Sequence, residues 1–120
     1  MKRFEIEGPL RGEGLIVRQA GGMHRYGHVI LSVEPAQTAL SFAREVSSTR
    51  IPEEFKAAVY RGIEAQFQPH ARFGTYSTEG LLIRIVDGSS HAIDSNEGSF
   101  EIAASLALLR ALDQLAQGWT

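Results

Sequence analysis

The spacing of the apolar residues changes along this chain, and that change constrains the fold more than any other feature. Between residues 26 and 34 apolar side chains recur at every second position, Val29, Leu31 and Val33, which is the period of a β-strand. Beyond residue 51 the spacing becomes four, at Phe55, Val59, Ile63 and Phe67, which indicates one face of a helix. A chain with both periods is expected to form a mixed α and β structure.

Four segments carry a strand pattern: residues 13–20, 26–34, 40–46 and 81–86. The break over residues 35–38 is short and polar, which favours a hairpin between the second and third strands. The fourth segment is an apolar run interrupted only by Arg84, and this favours a strand buried on at least one face. Asp87 and Gly88 directly after it predict a turn.

Two helices are predicted. Pro52 suits the first turn of a helix, because its missing N–H costs nothing there, and Pro69 ends the same pattern. Asp94 is the predicted N-cap of the second helix, with Glu97 reaching back to complete a capping box, and Gly118 is its predicted stop. The apolar face of the second helix comprises Phe100, Ala103, Ala104, Ala107, Leu108, Ala111 and Leu115.

The predicted order is βββαβα. It defines an α+β fold in which a four-stranded sheet carries two helices on one face, and we expect a single domain over residues 1–120. A chain of this length can bury a core without disulfides, and it has no cysteine. The lack of cysteine excludes thiolate metal sites and cysteine nucleophiles. No apolar run approaches the roughly 20 residues of a membrane helix, and we expect a cytoplasmic protein.

The charge balance limits how the chain can bind nucleic acid. Its formal net charge is −2, so any RNA contact must be local. Ten of its 12 basic residues are arginine, which suits planar, bidentate contacts to phosphate. The phosphate-loop pattern G-x-x-x-x-G-K-[ST] is absent from the sequence, so the chain alone cannot run a GTP-driven cycle.

Two glycine-containing segments, residues 17–29 and 87–97, each join a strand to the next element and each contain a histidine. We expect His24 and His91 to lie on adjacent loops at one end of the sheet, with Arg25 between solvent and His24. Residues 18–22 (Arg-Gln-Ala-Gly-Gly) followed by residues 26–29 (Tyr-Gly-His-Val), residues 51–55, and residues 87–89 with His91 together resemble domain IV of translation elongation factor G.

The resemblance implies a left-handed crossover through the third strand, first helix and fourth strand, similar to the second domain of ribosomal protein S-five. It also implies that the two loops form a tip inserted near the decoding centre of the ribosome, against small-subunit RNA and the tRNA–mRNA region. A GTPase domain, in cis or in trans, would supply directionality. The residues implied to contact RNA are Gly21, Gly22, Met23, His24, Arg25, Ser89, Ser90 and His91.

The sequence departs from the family pattern at several of these positions. Met23, His24 and Arg25 stand where the family usually has Arg-Gly-Gln, and Ser90 replaces a tyrosine. Because the phosphate loop is absent as well, we expect the chain to be either a domain of a longer factor or a free-standing relative. The alternative function is a protein-interaction domain that kept the fold but not ribosome binding, with an edge strand that could pair two copies.

Catalysis and metal binding receive weaker support. Asp87, Asp94 and Glu97 lie near His91 in the sequence, but turn and cap roles account for them, and we expect no enzymatic activity. His24 and His28 are about 13 Å apart along a strand, too far to share one ion, so no metal or cofactor is predicted. Trp119 is either part of a tail or a contact with a neighbouring domain or subunit.

Overall fold

The computed structural model describes residues 2–20, 23–37 and 39–116. The strands in this part of the chain are β1 (Lys2–Arg3), β2 (Leu10–Ala20), β3 (Met23–Pro35), β4 (Ser41–Arg44), β5 (Tyr76–Ser77) and β6 (Leu81–Ser89). The helices are α1 (Lys56–Ala65), preceded by a 3₁₀ turn over Glu53–Phe55, and α2 (Glu97–Ala116). The predicted stop at Gly118, and Trp119 with its two alternative roles, lie outside the described residues.

The main sheet has the strand order β2-β3-β6-β4. β3 pairs antiparallel with both β2 and β6, whereas β4 pairs parallel with β6. Both helices pack against the face that buries Val29, Leu31 and Val33 of β3 and Ile83 of β6. The predicted α+β fold, a four-stranded sheet with two helices on one face, is confirmed.

The predicted hairpin between the second and third strands is wrong. β4 lies at the edge of the sheet with Phe42 in register with Ile83 of β6, and β6 separates it from β3. The apolar period of β4 indicates that one face is buried, but it carries no information about the neighbouring strand. Because β4 pairs parallel with β6 and α1 lies between them in the chain, these three elements form a βαβ unit. Phe42 of β4 stacks on Tyr60 of α1, with ring centroids 4.6 Å apart. The handedness of this crossover stays a prediction.

The helical predictions agree with the core. Phe55, Val59 and Ile63 are buried, and Phe67 packs at the edge of the core. The predicted face of α2 is buried from Phe100 to Ala111, with Leu115 partly buried. Burial of each large apolar side chain contributes roughly 1.5–3 kcal/mol, so this single core holds both helices on the sheet. No helix among the described residues is long and apolar enough to cross a membrane.

Small residues allow α2 to lie very close to β2 and β3. A Cβ atom added at Gly14 would overlap the carbonyl oxygen of Ala103, and one at Gly12 would overlap that of Ala107. At Gly27 the nearest atom would be the carbonyl oxygen of Ser99, at 2.6 Å. Because this packing fixes the track of α2, it places the first turn of the helix at the end of the sheet where β2 meets β3. We call this the tip end.

A second, smaller cluster stands at the opposite, base end. β1 and β5 form a two-stranded parallel sheet, which the sequence did not predict because two residues have no detectable period. Phe4 stacks on Tyr76 with centroids 4.3 Å apart and meets Phe67 and Phe73 edge-on. Aromatic packing therefore orders part of the connection between α1 and β6.

Candidate functional site

The two histidines singled out in the sequence converge on one carboxylate at the tip end. The Nδ1 atom of His24 lies 3.9 Å from Oδ1 of Asp94, and the Nδ1 atom of His91 lies 3.5 Å from Oδ2 of Asp94. Asp94 is only 8% exposed, whereas both imidazoles are about half exposed. Among the described residues, no group of three or more histidine and acidic side chains is arranged to hold a metal ion.

His24 and Arg25 lie on a strand, which differs from the predicted loop. Ala20 pairs with Met23, so only Gly21 and Gly22 connect β2 to β3, and these two predicted tip residues lie outside the described residues. Successive side chains of a strand point to opposite faces. Arg25 therefore does not stand between solvent and His24.

The side chain of Arg25 instead lies beside the start of α2. Its Nη1 atom is 3.7 Å from the position that a Cβ of Gly98 would occupy. This distance is an ordinary van der Waals contact, and it places the guanidinium against the first turn of α2 at the tip end. Arg25 and His24 flank β3 from opposite faces at the same level of the sheet.

The segment that carries His91 is folded on itself and bonded to β3. The Nδ1 atom of His91 accepts hydrogen bonds from the backbone N–H groups of Ile93 (3.3 Å) and Asp94 (3.2 Å). A nitrogen that accepts cannot also carry the proton, so in this arrangement Nε2–H is the donor of the ring. The Ser95 hydroxyl accepts from the His91 backbone N–H (2.8 Å) and donates to the Tyr26 carbonyl (2.9 Å).

The predicted capping box of α2 is wrong. The helix begins at Glu97, and Oδ1 of Asn96 accepts the hydrogen bond from the backbone N–H of Ser99 at 2.8 Å. Asp94 lies too far before the first residue of the helix to act as its N-cap. Its carbonyl accepts a hydrogen bond from the backbone N–H of Tyr26 at 3.1 Å, and this bond anchors the segment to β3. Freed from a capping role, its carboxylate faces the two histidines. Glu97 lies 3.7 Å from Arg61.

Ser89, which the resemblance placed in contact with RNA, is engaged within the protein. Its hydroxyl lies 2.7 Å from the hydroxyl of Tyr26 and 2.9 Å from Nδ1 of His28. Nε2 of His28 lies 2.5 Å from a carboxylate oxygen of Glu13. This polar chain crosses β2, β3 and β6 on the face of the sheet opposite the helices. It holds the last residue of β6 in place, while Ser90 and His91 continue beyond it.

Asp87 and Gly88 do not form the predicted turn, because β6 continues through them to Ser89 after an irregularity in its register with β3. The Asp87 carboxylate accepts from the Gly88 N–H at 2.8 Å and lies 2.7 Å from Nε of Arg50. The Gly88 hydrogen bond, followed by the charge of Arg50, lowers the pKa of Asp87 below its ordinary value. These contacts tie the end of β6 to the segment before α1.

A cleft of about 470 Å³ lies beside His91, between residues 90–97 and the 3₁₀ turn. It is lined by Pro52, Glu54, Phe55, Ser90, His91, Ala92, Ser95, Asn96 and Glu97. The carboxylates of Glu54 and Glu97 make this side of the tip acidic, whereas Arg25 adds positive charge at the same end of the molecule. The tip therefore presents both signs of charge within a small area.

Three residues of this site were not among the predicted tip residues. Ile93 is 85% exposed beside His91, although an isoleucine is usually assigned to a core. Tyr26 contributes both its hydroxyl and its backbone to the tip, and Asp94 contributes its carboxylate. The exposure of Ile93 could have been predicted from its place in a short polar segment, because no large apolar residue lies two, three or four positions away from it.

The sheet, its two helices and a tip assembled from two distant segments define an α+β module. The family model for domain IV of elongation factor G matches residues 5–115. The chain belongs to the elongation factor G domain IV family. A solved structure of a protein from Thermus thermophilus is similar to it, with a TM-score of 0.78 and 31% sequence identity over 91% of this chain. The chain spans 16% of the length of that protein.

Proposed function

We propose that the tip enters a groove of the small ribosomal subunit and contacts RNA near the decoding centre. The observation that carries this proposal is the convergence of His24, Arg25 and His91, from segments more than 60 residues apart, at one end of the sheet. The module would act by occupying space, and it would perform no chemistry. Its setting would be the cytoplasm, where ribosomes work.

The tip offers different contacts on its different sides. Arg25 is suited to a phosphate, because guanidinium groups bind phosphate oxygens in pairs. On the side of the cleft, Glu54 and Glu97 disfavour phosphates but can accept hydrogen bonds from base amino groups or from 2′-hydroxyl groups. The Nε2–H group of His91 is a further donor, and Ile93 can pack on an unstacked base.

Backbone hydrogen bonds support this use of the tip. Tyr26 binds both the Asp94 carbonyl and the Ser95 hydroxyl, and His91 binds two backbone N–H groups. A segment that such bonds hold in place before binding loses little conformational entropy when it binds. In translation, a GTPase domain in cis or in trans would drive insertion, since this chain has no phosphate loop.

Co-sedimentation with bacterial ribosomes, at low and at physiological salt, tests this function. The double variant Arg25→Glu with His91→Ala should lose association at both salt concentrations. A matched control is Arg72→Glu with His70→Ala, because both residues are exposed near the base end and the formal charge change is the same. The control should bind as the wild type does.

Thermal unfolding of both double variants shows whether each remains folded at the temperature of the assay. Wild-type binding that persists at physiological salt, and that full-length elongation factor G displaces, supports a specific site, because screening removes non-specific charge contacts. Equal loss in the tip and base variants, or binding that survives the tip variant, rejects the proposal. In either case the alternative of a protein-interaction domain becomes the better explanation.

A further inference from the structure

Strand β2 is an edge strand, and the hydrogen bonds of its neighbour show which of its backbone groups face outward. The N–H and C=O groups of Tyr26 bind Asp94 and Ser95, on the side of β3 away from β2. Tyr26 is in register with Val17, so these two residues form a pair whose backbone groups point away from each other. Val17 therefore directs its N–H and C=O to the outer edge, and alternation gives Leu15, Glu13 and Arg11 the same direction.

Helix α2 covers the half of this edge that lies towards the base end. Nε2 of Gln114 donates to the carbonyl of Arg11 at 2.6 Å, and Nη1 of Arg110 donates to the carbonyl of Glu13 at 2.9 Å. Within the described part of the chain, no residue bonds to the outward groups of Leu15 or Val17. The open stretch of the edge therefore begins where the covering side chains end.

The surroundings of the open stretch are apolar. Four large apolar side chains are exposed among the described residues, and three of them, Leu15, Val17 and Ile102, belong to β2 or to α2. Ile102 and Leu106 precede Arg110 at four-residue intervals, so the side of α2 that is polar near the base becomes apolar towards the tip. An unpaired edge with apolar flanks is a template for another strand.

We propose that this open stretch, Leu15–Gln19, pairs with the same stretch of a second copy of the chain. An antiparallel pair centred on Val17 places Leu15 of each copy opposite Gln19 of the other, and uses every outward backbone group in the stretch. Arg18 falls opposite Ile16, so no like charges face each other directly.

Two further features favour a second copy over an unrelated peptide. The covering side chains Arg110 and Gln114 limit pairing to a short stretch that is symmetric about Val17, as a two-fold interface requires. Strand β2 itself also supplies the apolar side chains that the site needs, since Leu15 and Val17 of both copies share one face of the extended sheet. The sheets of the two copies become continuous through this contact.

Sedimentation of the purified chain from micromolar to near-millimolar concentration tests this pairing. The wild type should shift from monomer to dimer over this range. Val17→Lys should raise the dimer dissociation constant about tenfold or more, because it places two like charges at the two-fold axis. Ile93→Lys is the matched control, since it makes the same kind of change at an exposed apolar residue away from the edge. This control should dimerise as the wild type does.

A variant with the opposite expected effect, and a site-specific measurement, complete the test. Arg110→Ala with Gln114→Ala lengthens the open edge and should tighten the dimer. Hydrogen exchange of the Val17 amide should be fast in dilute solution and slow at high concentration, while the amide of Ile16, which faces β3, should not respond. A chain that stays monomeric throughout, or a dimer that Val17→Lys leaves intact, overturns the proposal. Both results are independent of ribosome binding.

Discussion

At the scale of single residues, Asp87 makes stability depend on pH. Its pKa is lowered by the Gly88 N–H and by Arg50, so the folded state favours the ionised carboxylate. The stabilisation is fully present above the ordinary pKa of 3.8 and is lost as the pH falls through the lower pKa of the folded state. Asp87→Asn should therefore melt below the wild type at neutral pH, and the two melting curves should approach each other in acid.

Melting followed by circular dichroism between neutral pH and acid measures this difference. Arg50→Gln should reduce the pH dependence without abolishing it, because the Gly88 hydrogen bond is the larger cause. A gap between Asp87→Asn and the wild type that widens in acid would show that the sign of the coupling is wrong.

At the scale of elements, glycine has opposite consequences at a strand position that α2 contacts and at a position within α2. Gly14→Ala should destabilise the fold by about 3 kcal/mol, because the new Cβ would overlap the Ala103 carbonyl and push the helix off the sheet. Gly98→Ala should stabilise it by about 0.5 kcal/mol, because its Cβ would have only ordinary contacts at 3.5 Å or more and alanine favours a helix. Urea unfolding measures both. Equal changes in the free energy of unfolding for the two variants would mean that the packing of α2 on the sheet does not require a glycine at position 14.

The elements also show what a sequence can reveal about such a fold. The apolar face of α1 and the buried face of α2 were predicted, because the residues on the buried side of a helix recur at a fixed spacing in the sequence. The partner of β4 was not, since β6 lies about 40 residues later and pairing is decided by tertiary packing. The prediction of the N-cap of α2 failed for a local reason: Asp94, Ser95 and Asn96 are adjacent, and each residue type can cap a helix. Hydrogen bonds to β3, which the sequence does not show, leave the capping role to Asn96.

At the candidate site, too, the sequence indicated residues but not the contacts that tertiary packing gives them. The family resemblance identified His24, Arg25 and His91, whose segments meet in space, but neither resemblance nor spacing revealed that Asp94 lies between the histidines. The resemblance assigned Ser89 to a contact with RNA, whereas its hydroxyl completes a chain from Tyr26 to Glu13 that only the strand register creates. Residue types can thus be proposed from sequence, while their roles depend on contacts across three strands.

At the scale of the whole molecule, α2 connects two clusters that we expect to behave independently. Its 20 residues span about 30 Å, with the histidines and Asp94 near its first turn and the aromatic cluster of the base near its last turns. Phe4→Ala should lower the free energy of unfolding by about 2 kcal/mol, less than for a fully buried phenylalanine because Phe4 is only partly buried. The melting temperature should fall by roughly 8 °C.

The tip should keep its structure in this variant, because none of the hydrogen bonds found for the described residues of the tip involves the base. The amide resonances of Ile93 and Asp94, which donate to His91, report on the tip directly and should not move at a temperature where the variant is folded. The reverse change, Ile93→Ala at an 85% exposed position, should leave the melting temperature almost unaltered. Shifts of the tip resonances in Phe4→Ala would instead show that α2 transmits strain between the two ends. The structure of the tip would then depend on packing at the base.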